Sequence, residues 1–143
     1  MKRLLIIYII GVVALFTSCD FVTSDNGDLD GFWQMTTKED LCTGQVSDMR
    51  DQMVSWAFQG GLVQMNTMNL EEVTGLFDLT ENSLKVWNLN QFTHEVGDAK
   101  IEDVNVLHQF GVYQLEETFK ILELNKNTLR LQSDSVRLNF RKY

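Results

Sequence analysis

Residues 53–68 read MVSWAFQGGLVQMNTM, and this stretch decides the fold class. Val54, Trp56 and Phe58 alternate with Ser55, Ala57 and Gln59; after Gly60-Gly61, Val63 and Met65 alternate with Gln64 and Asn66. A two-residue period sends successive side chains to opposite faces of a strand. Two such runs joined by Gly-Gly predict a β-hairpin with a tight turn. The face carrying Trp, Phe and Val is predicted to be buried and the other wetted, the habit of antiparallel sheets.

The same grammar extends in both directions. Strand-length segments are predicted at residues 32–37, 73–79, 84–89, 118–124, 128–132 and 136–143, separated by Gly, Asn, Asp and Ser. With the hairpin this makes about eight short strands, an all-β antiparallel meander. Closure into a barrel is favoured because it leaves no edge strand to pair with another chain. Inward candidates are Trp56, Phe58, Met65, Phe77, Leu84, Val86, Phe119, Ile121, Leu129, Leu131, Leu138 and Phe140. Residues 38–52 are polar and predict a loop with a short helix from Ser47, and helical spacing of Ile101, Val104 and Leu107 predicts another across 102–108. An eight-stranded interior is just wide enough for side chains or for one small ligand; periodicity leaves both outcomes open.

Ahead of the strands lies a different kind of segment. Met1-Lys2-Arg3 is basic, and residues 4–16 (LLIIYIIGVVALF) are apolar. The run suits a cleaved signal peptide and is well short of the ~20 residues that span a bilayer. Leu15-Phe16-Thr17-Ser18-Cys19 resembles a bacterial lipobox of the looser form found in the Bacteroides group. The resemblance implies a diacylglyceryl group on the Cys19 thiol and cleavage before it. At ~0.8 kcal/mol per buried methylene, two or three acyl chains hold firmly where one does not. The expected layout is a signal peptide over 1–18, lipidated Cys19 with an acidic linker over 19–30 (residues 20–30 read DFVTSDNGDLD), and one domain over 31–143. The expected location is the outer membrane, on either face.

Gly31-Phe32-Trp33 opens the first strand of that domain. Lipocalins begin with the same Gly-x-Trp. Together with the lipidated cysteine, the acidic linker and the closing strands LRLQSDSVRLNFRKY (129–143), it resembles the lipocalin-like lipoproteins of the Bacteroides group. The resemblance implies that Trp33 plugs the closed end of the barrel behind Gly31, with an Arg from the last strand over its ring, Arg137 or Arg141. It also implies a small apolar or amphipathic ligand, with Trp33 as floor and Trp56, Phe58, Met65 and Phe77 as walls. The alternative is a non-enzymatic interaction module, an inhibitor or accessory subunit of an envelope complex, built on a solidly packed barrel.

Charge and composition exclude other classes. The chain carries 12 basic and 20 acidic residues, a formal charge of −8. Removing Lys2 and Arg3 leaves ten basic against twenty acidic, or −10 for the mature side chains. Nucleic-acid binding needs clustered Lys and Arg, so no such partner is expected. With Cys19 lipidated, Cys42 stands alone, and an unpaired Cys is most often a small buried hydrophobe. His94 and His108 have no ligand-spaced neighbours, so no metal or other cofactor is expected. The adjacent pairs Glu71-Glu72 and Glu116-Glu117 would point to opposite faces of a strand, the wrong arrangement for a shared acid and base. No enzymatic activity and no catalytic residue is expected.

Overall fold

The Gly60-Gly61 hairpin forms with the expected register in a computed structural model that describes residues 24–69, 72–93 and 97–143. Ser55–Gln59 pairs with Leu62–Asn66, Gln59 faces Leu62 across the two glycines, and Trp56 faces Met65. The described residues form ten strands: β1 Gly31–Asp40, β2 Val46–Asp48, β3 Ser55–Gln59, β4 Leu62–Asn66, β5 Glu72–Leu79, β6 Ser83–Thr93, β7 Gly97–Lys100, β8 Glu117–Leu124, β9 Thr128–Gln132 and β10 Val136–Lys142.

Eight of them make the barrel, in the order β1-β3-β4-β5-β6-β8-β9-β10, and β10 returns to pair with β1 (Trp33 with Lys142, Leu138 with Lys38). β2 and β7 are accessory strands. The former pairs with the far half of β1 (Thr37 with Asp48) and the latter with the far half of β6 (Asn90 with Lys100). The all-β meander closed into an eight-stranded barrel is therefore the architecture.

Strand ends define two rims. At the lower rim lie the start of β1, the turn at 60–61, the turns at 80–82 and 125–127, and the end of β10. The upper rim holds the other ends, with β2, β7 and the connections that follow them.

Alternation sets the core. β3, β4, β9 and β10 each bury every second residue, and one cluster gathers Trp33, Met35, Trp56, Phe58, Met65, Phe77, Leu84, Phe119, Leu129 and Leu138. Of the twelve inward candidates only Ile121 is partly exposed, and it still packs against the cluster. The reason is local: a register shift between Ile121 and Glu123 breaks the alternation of β8.

Three polar stretches depart from expectation. Ser47 lies in β2, and the helical turn expected from it begins later, as a 3-10 turn at Arg50–Gln52. β1 runs on to Asp40 past a register shift between Met35 and Thr37, which gives the polar segment a strand to pair with. The helix expected over 102–108 is a 3-10 helix at Val104–Phe110, started by Asp103, whose carboxylate accepts the Asn105 N–H at 3.0 Å. Of the expected linker over 19–30, residues 24–30 are described. A 3-10 turn at Gly27–Leu29 buries Leu29 beneath the barrel, and Asn26 donates its side-chain amide to the Gly60 carbonyl at 2.7 Å.

Cys42 corrects the expectation of a buried thiol: it is exposed, in the turn after β1. The Asp40 carboxylate accepts the N–H groups of Cys42 and Thr43 at 2.8 and 2.9 Å and swings this turn outward at the upper rim. These bonds, the one from Thr43 foremost, hold the Asp40 carboxyl below its ordinary range. A depressed folded pKa stabilises the turn above the unfolded value of about 4, and that support is lost as pH falls through the folded value. Protection factors at the amides of residues 42–45, taken against the intrinsic exchange rate at each pH, are therefore expected to fall on acidification from pH 5 towards pH 3, before the barrel core responds. Protection factors that stayed constant over that range would exclude these hydrogen bonds to Asp40.

Candidate binding surfaces of the barrel

Gly31 and Trp33 lie at the lower rim of the barrel, where β1 begins. Trp33 is fully buried and donates its indole N–H to the Leu29 carbonyl at 2.7 Å, which ties the 3-10 turn across the lower rim. The cation over its ring is Lys142, 4.9 Å from the centroid, rather than Arg137 or Arg141. Strand parity explains the correction. Val136, Leu138 and Phe140 point inward on β10, so Lys142 continues that face while Arg137 and Arg141 point out. Arg137 pairs with Glu39 at 2.8 Å and with Gln132, and Arg141 donates to Gln34. The Lys142 ammonium also donates to the Asp28 carbonyl at 2.8 Å. Gly31, at φ +113, lets the lysine stem pass: a Cβ there would lie 3.1 Å from Lys142 Cε.

The five residues expected to hold a ligand are all buried, and aromatic rings meet around Trp56. Trp56 meets Phe58, Phe119 and Phe140 at ring-centroid distances of 6.1, 5.8 and 5.3 Å, and Phe58 meets Phe77 edge-on at 5.1 Å. Met65 sits opposite Trp56 in the hairpin and is fully buried. Such separations are those of aromatic rings in direct contact.

The upper rim is stoppered. Residues 101–112 cross it and bury Ile101, Leu107, Phe110 and Val112 against the strands. The Phe110 carbonyl accepts the Trp56 indole N–H at 3.2 Å, and Lys38 donates to the His108 carbonyl at 3.2 Å. Tyr113 stacks on His108 with centroids 4.6 Å apart, and its N–H donates to the buried Glu117 carboxylate, whose other oxygen has no hydrogen-bond partner. Burial lowers the pKa of Lys38, offset in part by Asp40, and burial raises that of Tyr113. Gly111 ends the helix at φ +80, and a Cβ there would lie 2.6 Å from Leu138 Cδ2. Gly111→Ala is expected to cost about 1–3 kcal/mol through overpacking in addition to left-handed strain, read by urea unfolding.

Open space lies on the outer wall. A cleft of about 700 Å³ crosses β1, β3, β4 and β5, lined by Phe32, Ala57, Leu62, Gln64 and Thr74, by Ser24, Asp30 and Gln59, and also by Gly31, Val63 and Phe58, the last one of the residues expected to hold a ligand. Its form follows from register. Phe32 pairs with Ala57, Ala57 with Gln64 and Gln64 with Thr74, so small side chains alternate with tall ones along one outward row. Phe32 and Leu62 are 59 % and 61 % exposed on a face where alternation would put polar residues. The N-terminal strap frames the edge, with Gly60 N–H donating to Ser24 Oγ at 2.6 Å and Ser24 O–H donating to Asp30 at 2.8 Å. The apolar outward positions 32, 57 and 62 were visible in the sequence, and only the pairing of β1 with β3 shows that they adjoin.

The described residues contain no group of three His, Cys, Asp or Glu placed to hold a metal, and no helix long and apolar enough to cross a membrane. Glu116, in the bend before β8, pairs with Lys85 at 2.9 Å, while Glu117, the first residue of β8, is buried. Cys19, Glu71 and His94 lie outside the described residues.

Comparison with known proteins agrees with the barrel. A profile of the lipocalin-like domain matches residues 14–143. A lipocalin-like protein from Bacteroides uniformis, solved by crystallography, is 25 % identical and superposes with a TM-score of 0.62 over 82 % of this chain and 100 % of its own. An uncharacterized protein from Bacteroides eggerthii, 22 % identical, superposes with a TM-score of 0.60 over 80 % of this chain and 99 % of its own, which speaks to fold alone. No curated protein matches the chain.

Proposed function

Since the chain belongs to the lipocalin-like domain family, we propose that it is a non-enzymatic binding protein of the cell envelope, held by acyl chains on Cys19, whose packed barrel serves as a scaffold. Its ligand is a small apolar or amphipathic molecule, taken in the outer-wall cleft between β1 and β5. The observation that carries this reading is the cleft itself. Its volume of about 700 Å³ falls within the ~300–1,000 Å³ usual for small-molecule sites. Its lining follows the same recipe, apolar side chains with a few polar groups at the edge. Covering Phe32 and Leu62 would gain up to about 1.5–3 kcal/mol for each side chain fully removed from water.

Two substitutions test the site. Ala57→Trp fills the cleft floor from an outward position and is expected to weaken binding of a long-chain fatty-acid probe by tenfold or more, while the circular dichroism of the barrel is kept. Trp56→Phe acts from the inward face and is expected to leave the affinity within about twofold. The opposite ranking would return the ligand to the interior. Intact mass of the full chain purified from a lipoprotein-processing host tests the anchor: loss of residues 1–18 with acyl mass on Cys19 is expected.

A second reading rests on the packed interior and the mature charge of −10, ten basic against twenty acidic side chains. Here the outer surface engages a cationic protein of the envelope, and the cleft is part of that interface. Binding to a tethered partner that weakens steeply with salt and ignores the fatty-acid probe would favour it.

A further inference from the structure

We infer that the lower rim of the barrel rests on the bilayer, so that the cleft opens at the membrane surface. The inference builds on the acylation of Cys19 proposed above. Three large apolar side chains stand together there. Phe32 and Leu62 border the cleft, and Tyr143, 69 % exposed, follows β10 and donates its N–H to the Phe32 carbonyl at 3.1 Å. Their strands alternate correctly, so these are wet-face positions given to apolar residues on one side of one rim. Scattered single apolar residues on a surface need no explanation, whereas adjoining ones mark a contact.

The course of the chain names the contact. The strap that carries Ser24 is bonded to the Gly60 turn of that same rim, and residues 20–23 alone separate Ser24 from Cys19. Five peptide steps reach at most about 18 Å, so acyl chains on Cys19 would hold this rim within that distance of the lipid surface. Tethering at such range gives an effective concentration near millimolar, at which even weak insertion of three side chains is populated. Phe and Tyr suit the interfacial zone, where a ring can sit among headgroups. The charges on this side include Asp25, Asp28 and Asp30 against Lys126 and Lys142, so the surface they fit is zwitterionic rather than anionic. The Lys142 ammonium is already engaged by Trp33 and Asp28, which leaves the apolar trio to make the contact.

The test uses the full chain, processed and acylated by its host, in phosphatidylethanolamine–phosphatidylcholine vesicles. An environment-sensitive fluorophore is placed on Leu62→Cys in a Cys42→Ser background, and in a second sample on the native Cys42, exposed at the opposite rim. β1 alone spans ten residues, about 30 Å between rims. The label at position 62 is expected to shift to the blue and to be quenched several-fold more by spin-labelled lipid than the label at 42. Equal quenching at both positions, with acyl mass present on Cys19, would overturn the inference and leave the anchor standing. A bare Cys19, seen as a second label in the intact mass, would remove the anchor and the inference together. A blue shift without vesicles in a protein that sediments as a dimer would assign the patch to a second copy and overturn it as well.

Discussion

Trp56→Ala is expected to cost about 3–5 kcal/mol of stability. For a domain of this size that lowers the thermal midpoint by roughly 10–20 °C. Trp56 touches rings from its own strand and from β8 and β10, so its removal opens space at the meeting point of three strands. It also leaves the Phe110 carbonyl without its indole donor. Urea unfolding followed by circular dichroism checks the value. A loss below 1 kcal/mol would mean that the rings around it are not in contact, and that a cavity already exists there.

Phe110→Ala is the second large effect, again about 3–5 kcal/mol, and it acts on the stopper. The backbone bond from Trp56 survives this change because the acceptor is the Phe110 carbonyl, so the loss is one of packing. The void left under the 3-10 helix is apolar and closed by Leu107 and Val112, both fully buried. Such voids stay dry and take up small apolar molecules. The variant is therefore expected to regain part of its lost stability in saturating benzene, while the native protein gains none. If the native chain were stabilised to the same degree, its interior would already be open to ligands.

Much of this architecture was legible in the residues. Periodicity of two, punctuated by Gly60-Gly61 and by Asn125, Lys126 and Asn127, is a local property, and eight barrel strands and nearly all inward residues followed from it. The Gly-x-Trp opening pointed to a buried Trp33 at the floor. Sequence reasoning missed for two reasons, parity followed too short a way and pairing at a distance. Lys142, not Arg137 or Arg141, covers Trp33 because the strand's parity runs to its last residue. Residues 38–52 looked like loop because β1 continues past a register shift with polar side chains that pair on two sides. The stopper could be glimpsed in the helical spacing of Ile101, Val104 and Leu107, but not its position across the rim.

The cleft illustrates the same limit. Phe32, Ala57 and Leu62 each look like a tolerable exposed apolar residue when read singly, and it takes the β1–β3–β4 register to make them one surface. Sequence left open whether the interior is filled or hollow, because the same aromatic residues serve either purpose. Ring-to-ring contact around Trp56 and a helix over the rim favour filling, and the open cleft turns the search for a ligand to the outer wall.

The two indole N–H groups of Trp33 and Trp56 provide the most direct check. Both are buried, one donating to Leu29 at the floor and one to Phe110 at the stopper, so they bracket the interior. The chain is titrated with a long-chain fatty acid and followed by nitrogen–proton correlation spectra. Shifts are expected at the amides of Phe32, Ala57, Gln64 and Thr74, with both indole signals unmoved. Large shifts of the Trp33 and Trp56 indoles, with the outer-wall amides unchanged, would contradict it and place the ligand inside the barrel.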